Sequence, residues 1–131
     1  MSEYDVLPML AGPVLGGYLA DRSVIEILVN PNGSCFVERF GAGMQEAAPI
    51  AADDLDRFLA GVAHVVQQEW REQSPSLHAA LPGQGWRIQA AGPPQAPGIT
   101  MALRKHPQQI YTLEQYVHRI GFFIFPVQKS P

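Results

Sequence analysis

The chain is poor in cysteine and in charge. A single cysteine, Cys35, occurs among the 131 residues, which excludes an internal disulfide and any metal site built from several thiolates. Charged side chains make up only 16% of the residues, and nine basic against twelve acidic ones give a net charge of −3. A protein that binds polyanions through its whole surface carries a basic surplus. Any anion-binding site in this chain must therefore be local.

From the sequence we expect neither a membrane-spanning segment nor a signal peptide. No apolar run approaches the roughly 18 residues that a spanning helix needs, and residues 1–8 contain two acidic residues and no basic one, unlike a signal peptide. We therefore expect a cytoplasmic protein. Its hydrophobic content of 47% is enough to form one core, and its length suits one domain.

Hydrophobic patterning in the first half predicts a helix, a hairpin and a second helix. Residues 6–19 suit a helix, and a β-branched run predicts a strand over 24–29. The turn at 30–33 has proline second and glycine last, which favours a hairpin to a strand over 35–39. Two glycines should end that strand before a short extended stretch near 48–50. Apolar residues then recur every three or four positions over 53–72, which predicts the best amphipathic helix of the chain.

The second half returns to a period of two. Strands are predicted over 77–81, 86–90 and 99–105, with a proline-rich loop at 92–98 between the last two. Thr112 begins a further helix that Gly121 should end. Together these elements predict an α+β fold with one sheet.

Two arginines share the polar face of the last two predicted strands. Alternation turns Arg87 and Arg104 away from the apolar side chains of these strands. If the proline-rich loop joins an antiparallel hairpin, the two residues lie within a rung or two, about 5–8 Å apart. Guanidinium groups at that spacing fit phosphate oxygens. The alternative is a pair of ordinary solvated arginines, each paired with a glutamate.

Other chemical signatures are weak. Cys35 has no activating partner and is expected to be a small buried hydrophobic residue. The acidic residues at 53–56 suit the start of a helix without a catalytic role. No G-x-x-x-x-G-K-[ST] motif occurs, so the chain lacks the loop that cradles a triphosphate, and no catalytic residue is predicted. No metal site is predicted either, because four histidines fall on different elements without ligand spacing: His64, His78, His106 and His118.

Several motifs in series resemble the N-terminal region of the traffic ATPases of type IV secretion and conjugative transfer. The family signature reads roughly L-x-D-x-x-V-x-E-I-x-V-N-x-x-G, then V-x-R-x-G. This sequence has LADRSVIEILVNPNG at 19–33 and VERFG at 37–41. The resemblance extends over residues 5–118, with matching order and spacing in SPSLHAALP (74–82), GWRIQ (85–89), MALRK (101–105) and TLEQY (112–116).

The resemblance implies an N-terminal domain over 1–120, an antiparallel PAS-like sheet with flanking helices, and a divergent tail at 121–131. In that family the domain forms one ring of a homo-hexamer, and ATP binds between it and a RecA-like C-terminal domain. Arginines of the family's G-x-R-x-Q and I-R-K segments reach the nucleotide phosphates, and they match Arg87 and Arg104. ATP is the implied cofactor, with Mg²⁺ held only through the RecA-like domain.

The resemblance also implies partners and limits. Other secretion-system components at the inner membrane are expected partners, membrane association would be peripheral, and no sequence-specific nucleic-acid binding is expected. The family's P-loop, acidic boxes and His motif belong to the RecA-like domain and are missing here, as in a truncated or frame-shifted form. The chain is thus predicted to aid ring assembly and contact ATP phosphates without hydrolysing ATP alone. The alternative is a free-standing PAS-like ligand or protein interaction module without ATPase activity.

Overall fold

Six antiparallel strands form one sheet with two helices in the computed structural model, which describes residues 10–70, 75–81 and 85–105. The strand order is β3-β2-β1-β6-β5-β4. This architecture confirms the predicted α+β class with an antiparallel, PAS-like sheet. The elements are α1 (Gly12–Ala20), β1 (Val24–Val29), β2 (Cys35–Arg39), β3 (Gly43–Ala47), α2 (Ala52–Val65), β4 (Ser76–Ala80), β5 (Trp86–Ala91) and β6 (Thr100–Lys105).

The first hairpin has the predicted bounds because its turn chemistry is specific. The backbone N–H of Gly33 donates to the Asn30 carbonyl, and the N–H of Asn30 donates to the Ser34 carbonyl, both at 2.9 Å. Gly33 has φ of +89°, in the left-handed region that glycine adopts without strain. The turn therefore sets the register in which Glu26 lies opposite Glu38.

A third strand lies where the sequence predicted none. The expectation that extended structure resumes only near 48–50 is wrong, because β3 pairs with β2 over the whole of Gly43–Ala47. This segment has no β-branched residue and lies at the edge of the sheet, mostly exposed. Backbone pairing with β2, and not side-chain propensity, forms the strand.

The predicted helix over 53–72 is shorter in the structure, since α2 ends at Val65. Beyond it, the N–H of Gln68 donates to the Ala63 carbonyl at 2.8 Å, and Gln67 takes a left-handed φ of +60°. This is the Schellman arrangement, which stops a helix by satisfying its last carbonyls. The apolar periodicity continued past the stop, so the sequence pattern alone placed the end too late.

Trp70, an apolar residue that continues the helical periodicity beyond the end of α2, still packs on the core. Trp70 is half-buried against it, and its indole Nε1 donates to Asp56 Oδ1 at 2.8 Å. The chain has thus turned back along α2 after the helix ends. Trp70 thus contributes to the core from a segment that is not helical.

One core joins both helices to one face of the sheet. Phe58 and Leu59 of α2 are fully buried, and Leu15 of α1 lies in the same cluster. Alternation along the strands turns a second set of apolar side chains into this core, including Ile27, Val37, Leu77, Ile88, Met101 and Leu103. The opposite face is not covered by either of these helices and carries the side chains that alternate with the core residues, including Glu26, Glu38, Arg87 and Arg104. We call it the open face.

The second half of the sheet follows the prediction closely. The strands predicted over 77–81, 86–90 and 99–105 correspond to β4, β5 and β6, and the loop at 92–98 joins β5 to β6 in a hairpin. This loop rests on the first turn, because a Cβ at Gly98 would lie 2.5 Å from the carbonyl oxygen of Pro31. Glycine is needed at that close approach of two backbones.

The predicted helix from Thr112, the tail at 121–131 and two of the four histidines lie outside the described residues. The start of the predicted first helix, at 6–9, does so as well. Within the described part, neither helix has the length and apolar character needed to cross a bilayer.

Candidate functional site

Four charged residues form one row across the open face. Arg87 of β5 lies directly opposite Arg104 of β6. On its other side, Arg104 lies opposite Glu26 of β1, which in turn lies opposite Glu38 of β2. The row therefore reads basic, basic, acidic, acidic across four neighbouring strands. The sequence predicted the two arginines within a rung or two of each other, and the structure places them at directly paired positions.

Arg104 is held by one of its carboxylate neighbours. Its Nη2 donates to Glu26 Oε2 at 2.9 Å, in an ion pair whose arginine side chain is 72% exposed and whose glutamate side chain is only 14% exposed. This hydrogen bond, together with the charges of Glu26 and Glu38, raises the pKa of Arg104 above its ordinary value. The contact engages one of the three guanidinium nitrogens. Arg104 therefore stays fully charged and largely accessible.

Arg87 differs from its neighbour. Its side chain is exposed, and no residue in the described part of the chain forms a hydrogen bond or an ion pair with it. Within the described residues, the alternative of two arginines that each pair with a glutamate holds for Arg104 and not for Arg87. Among the described residues, the Arg87 guanidinium therefore has no compensating partner on the open face.

A shallow groove of about 210 Å³ runs beside the pair. Arg87, Arg104, Gln89, His78 and Ala102 line it. A second groove of about 460 Å³ continues from it along β4 and β5 and shares three of these residues. The side chains that line the two grooves include two guanidinium groups, the amides of Gln89 and Gln95, and the imidazole of His78.

The sequence did not single out Glu26 or His78 as neighbours of the arginines. Alternation within a strand predicts the face on which a side chain lies, and Glu26 lies between the buried Ile25 and Ile27 of β1. Which strands are adjacent depends on the order β1-β6-β5-β4, which no local pattern in the sequence specifies. Strand alternation combined with that order would have found both residues.

The other described candidates show no arrangement that would support chemistry. Cys35 is fully buried, and burial raises the pKa of its thiol to about 11, so it is a poor nucleophile. Asp54 pairs with Arg57 at 3.4 Å one turn along α2. His64 lies on α2 and His78 on β4. Nowhere in the ranges described do three metal-ligating side chains come together.

Comparison with known proteins gives relatives of one kind. The conjugal transfer protein TrbB of Rhizobium radiobacter is 31% identical over 99 residues, which is 76% of this chain and 31% of that protein. The type IV secretion system protein VirB11 of Brucella suis is 34% identical over 118 residues, which is 86% of this chain and 32% of that protein. No family model matches the sequence.

A solved structure extends this result from sequence to fold. The crystal structure of the VirB11 ATPase from the Brucella suis type IV secretion system, in complex with sulphate, superposes with a TM-score of 0.68 at 30% identity. The match covers 93% of this chain and 38% of that one. The chain is homologous to the N-terminal domain of the conjugal transfer and type IV secretion ATPases.

The homology confirms the resemblance that the motifs indicated. The homology covers only part of the relatives, because this type IV secretion ATPase homologue spans about a third of the length of the relatives it matches. Several motifs that carried the resemblance lie in described elements of the sheet, including those that contain Glu26, Arg87 and Arg104.

Proposed function

We propose that this chain is the nucleotide-facing N-terminal domain of a conjugation or type IV secretion ATPase. In this role Arg87 and Arg104 contact the phosphates of ATP at the interface with a RecA-like domain. The observation that carries the proposal is their direct pairing on the open face, with Arg87 unpartnered among the described residues. The VirB11 ATPase structure is a complex with sulphate, a tetrahedral oxyanion of the same shape as phosphate, so a homologous protein binds an anion of this shape.

The physics of the pair favours an anion. Side chains at directly paired positions have Cβ atoms about 5 Å apart, and like charges there destabilise the sheet by a few tenths to about 1 kcal/mol. Glu26 offsets the charge of Arg104 but forms no ion pair with Arg87. A phosphate bound by both guanidinium forks would replace the repulsion with two charge-assisted interactions.

The proposed role is to couple nucleotide state to domain geometry. Phosphates that touch this domain on one side and a RecA-like domain on the other would bias the angle between the two, and so the conformation of a hexameric ring. The chain has no G-x-x-x-x-G-K-[ST] motif, so ATP hydrolysis and Mg²⁺ binding belong to the RecA-like domain. We place the protein in the cytoplasm, with other secretion-system components at the inner membrane as partners.

Titration of the isotope-labelled 131-residue chain with ATP, ADP and adenosine tests this proposal. We expect ATP to shift the NMR signals of Arg87, Arg104 and Gln89, and adenosine to leave them unchanged. Arg87→Ala and Arg104→Ala should each raise the Kd for ATP by about 5- to 30-fold, since charge-assisted hydrogen bonds contribute roughly 1–2 kcal/mol at an exposed site.

Arg57→Ala is the matched control. It removes the same charge from an exposed position on α2, away from the open face, and should leave the Kd unchanged. Equal ATP affinity in all three variants would refute the site. Turnover of ATP by the chain itself, lost in Arg104→Ala, would contradict a purely phosphate-contacting role. Binding of adenosine without any contribution from the arginines would favour a free-standing PAS-like ligand module instead.

A further inference from the structure

We propose that Glu26 is a positioning residue for the arginine pair. By holding Nη2 of Arg104 against β1, it orients the guanidinium so that the remaining N–H donors meet an anion shared with Arg87. This inference rests on the proposed function of the two arginines. It assigns to Glu26 a role in anion binding although its own charge is negative.

The geometry makes Glu26 the fixed member of the ion pair. It lies on β1, which pairs with β2 on one side and with β6 on the other, so its backbone is held from both directions. Its side chain is 14% exposed, whereas that of Arg104 is 72% exposed. A long, exposed arginine side chain loses most of its rotamer freedom when it is fixed. The 2.9 Å contact with the largely buried Glu26 carboxylate imposes that cost on folding and not on binding.

Electrostatics alone gives the opposite expectation. A carboxylate beside an anion site repels the anion, so removal of Glu26 should strengthen binding if its charge were all that mattered. Glu38 supplies the comparison. It lies one strand further along the same row and acts on Arg104 through its charge, while Glu26 also makes the hydrogen bond. A change at Glu38 therefore alters the charge near Arg104 and leaves the hydrogen bond to Glu26 in place.

Three variants separate these effects, with ATP as the probe. Glu26→Ala removes the charge and the contact, and we expect the Kd for ATP to rise about three- to tenfold as Arg104 regains rotamer freedom. Glu26→Gln removes the charge but keeps a hydrogen-bond acceptor, and should bind within about twofold of the wild type. Glu38→Ala should bind as tightly as the wild type or slightly more tightly. Glu26→Ala binding that is unchanged or tighter overturns the proposal.

A ligand-free measurement decides whether Glu26 orders Arg104. Nitrogen relaxation at Nε of Arg104 should report a restricted side chain in the wild type and in Glu26→Gln, and a mobile one in Glu26→Ala. Circular dichroism checks that each variant folds, and equal mobility in folded Glu26→Ala and wild type also overturns the proposal. Absence of ATP binding by the wild type refutes the proposed function, whereas wild-type binding that Glu26→Ala leaves intact refutes only the role of Glu26.

Discussion

Replacement of Gly98 by alanine tests how the hairpin that carries both arginines is held in place. The added Cβ would lie 2.5 Å from the carbonyl oxygen of Pro31, and 3.2 and 3.3 Å from the carbonyl carbon and Cα of the same residue. All three atoms are backbone, in a turn closed by hydrogen bonds of 2.9 Å from Gly33 to Asn30 and from Asn30 to Ser34. The turn therefore cannot yield as a flexible side chain would.

The magnitude follows from the distances. An ordinary contact needs about 1 Å more than the 2.5 Å available, so either the loop or the turn must move. Overpacking of this kind costs about 1–3 kcal/mol. For a domain of this size we expect Gly98→Ala to lower the Tm by roughly 3–12 °C in a thermal unfolding scan followed by circular dichroism.

Gly17 offers a control with the opposite sign. It lies in α1 at an exposed position, and a Cβ there would meet nothing within 4 Å. Gly17→Ala should therefore raise the free energy of unfolding by up to about 1 kcal/mol through helix propensity. A Gly98→Ala variant that is as stable as the wild type would show that the loop and the first turn do not make the close approach described.

Two further predictions concern buried and strained positions. Because burial raises the pKa of Cys35 to about 11 from 9.0, the folded state keeps the thiol proton that the unfolded state loses, so stability should fall as pH rises from 9 toward 11. Urea unfolding at pH 9 and 10 should show the wild type losing about 1 kcal/mol more than Cys35→Ala, and equal losses would contradict the buried thiol. Gln67 holds a left-handed φ of +60° after α2, so Gln67→Gly should stabilise the fold by about 0.5–1 kcal/mol in the same assay at pH 7. If Gln67→Gly lowers the free energy of unfolding instead, the Gln67 side chain stabilises the fold by more than its backbone strain destabilises it.

Local chemistry explains which elements could be predicted. The bounds of β1 and β2 follow from a β-branched run and from a turn whose Pro31 and Gly33 suit its two special positions. The alternation that placed Arg87 and Arg104 on one face is equally local. These features are specified by residues within a few positions of one another, so one sequence is enough to predict them.

The missed features depend on distant parts of the chain. β3 forms because β2 offers it a pairing edge, although its residues have little strand propensity. The stop at Val65 depends on Gln67 entering a conformation that glutamine rarely adopts. The ion pair between Glu26 and Arg104 requires β1 and β6 to be neighbours, and they become neighbours only when the whole sheet has assembled. The ligand of the arginine pair and the hexameric ring depend on molecules other than this chain, so they remain proposals.

The strand order also bears on how the sheet assembles. Strands β1, β2 and β3 form one meander from local pairings, and β4, β5 and β6 form another, so only the junction of β1 with β6 joins residues far apart in sequence. Long-range pairing of this kind forms late and slowly compared with hairpins. At the junction, Glu26 and Glu38 belong to one meander and Arg87 and Arg104 to the other. Opposite charges on the two halves therefore attract each other before the last strand pair closes, and the row of charges on the open face exists only once it has closed.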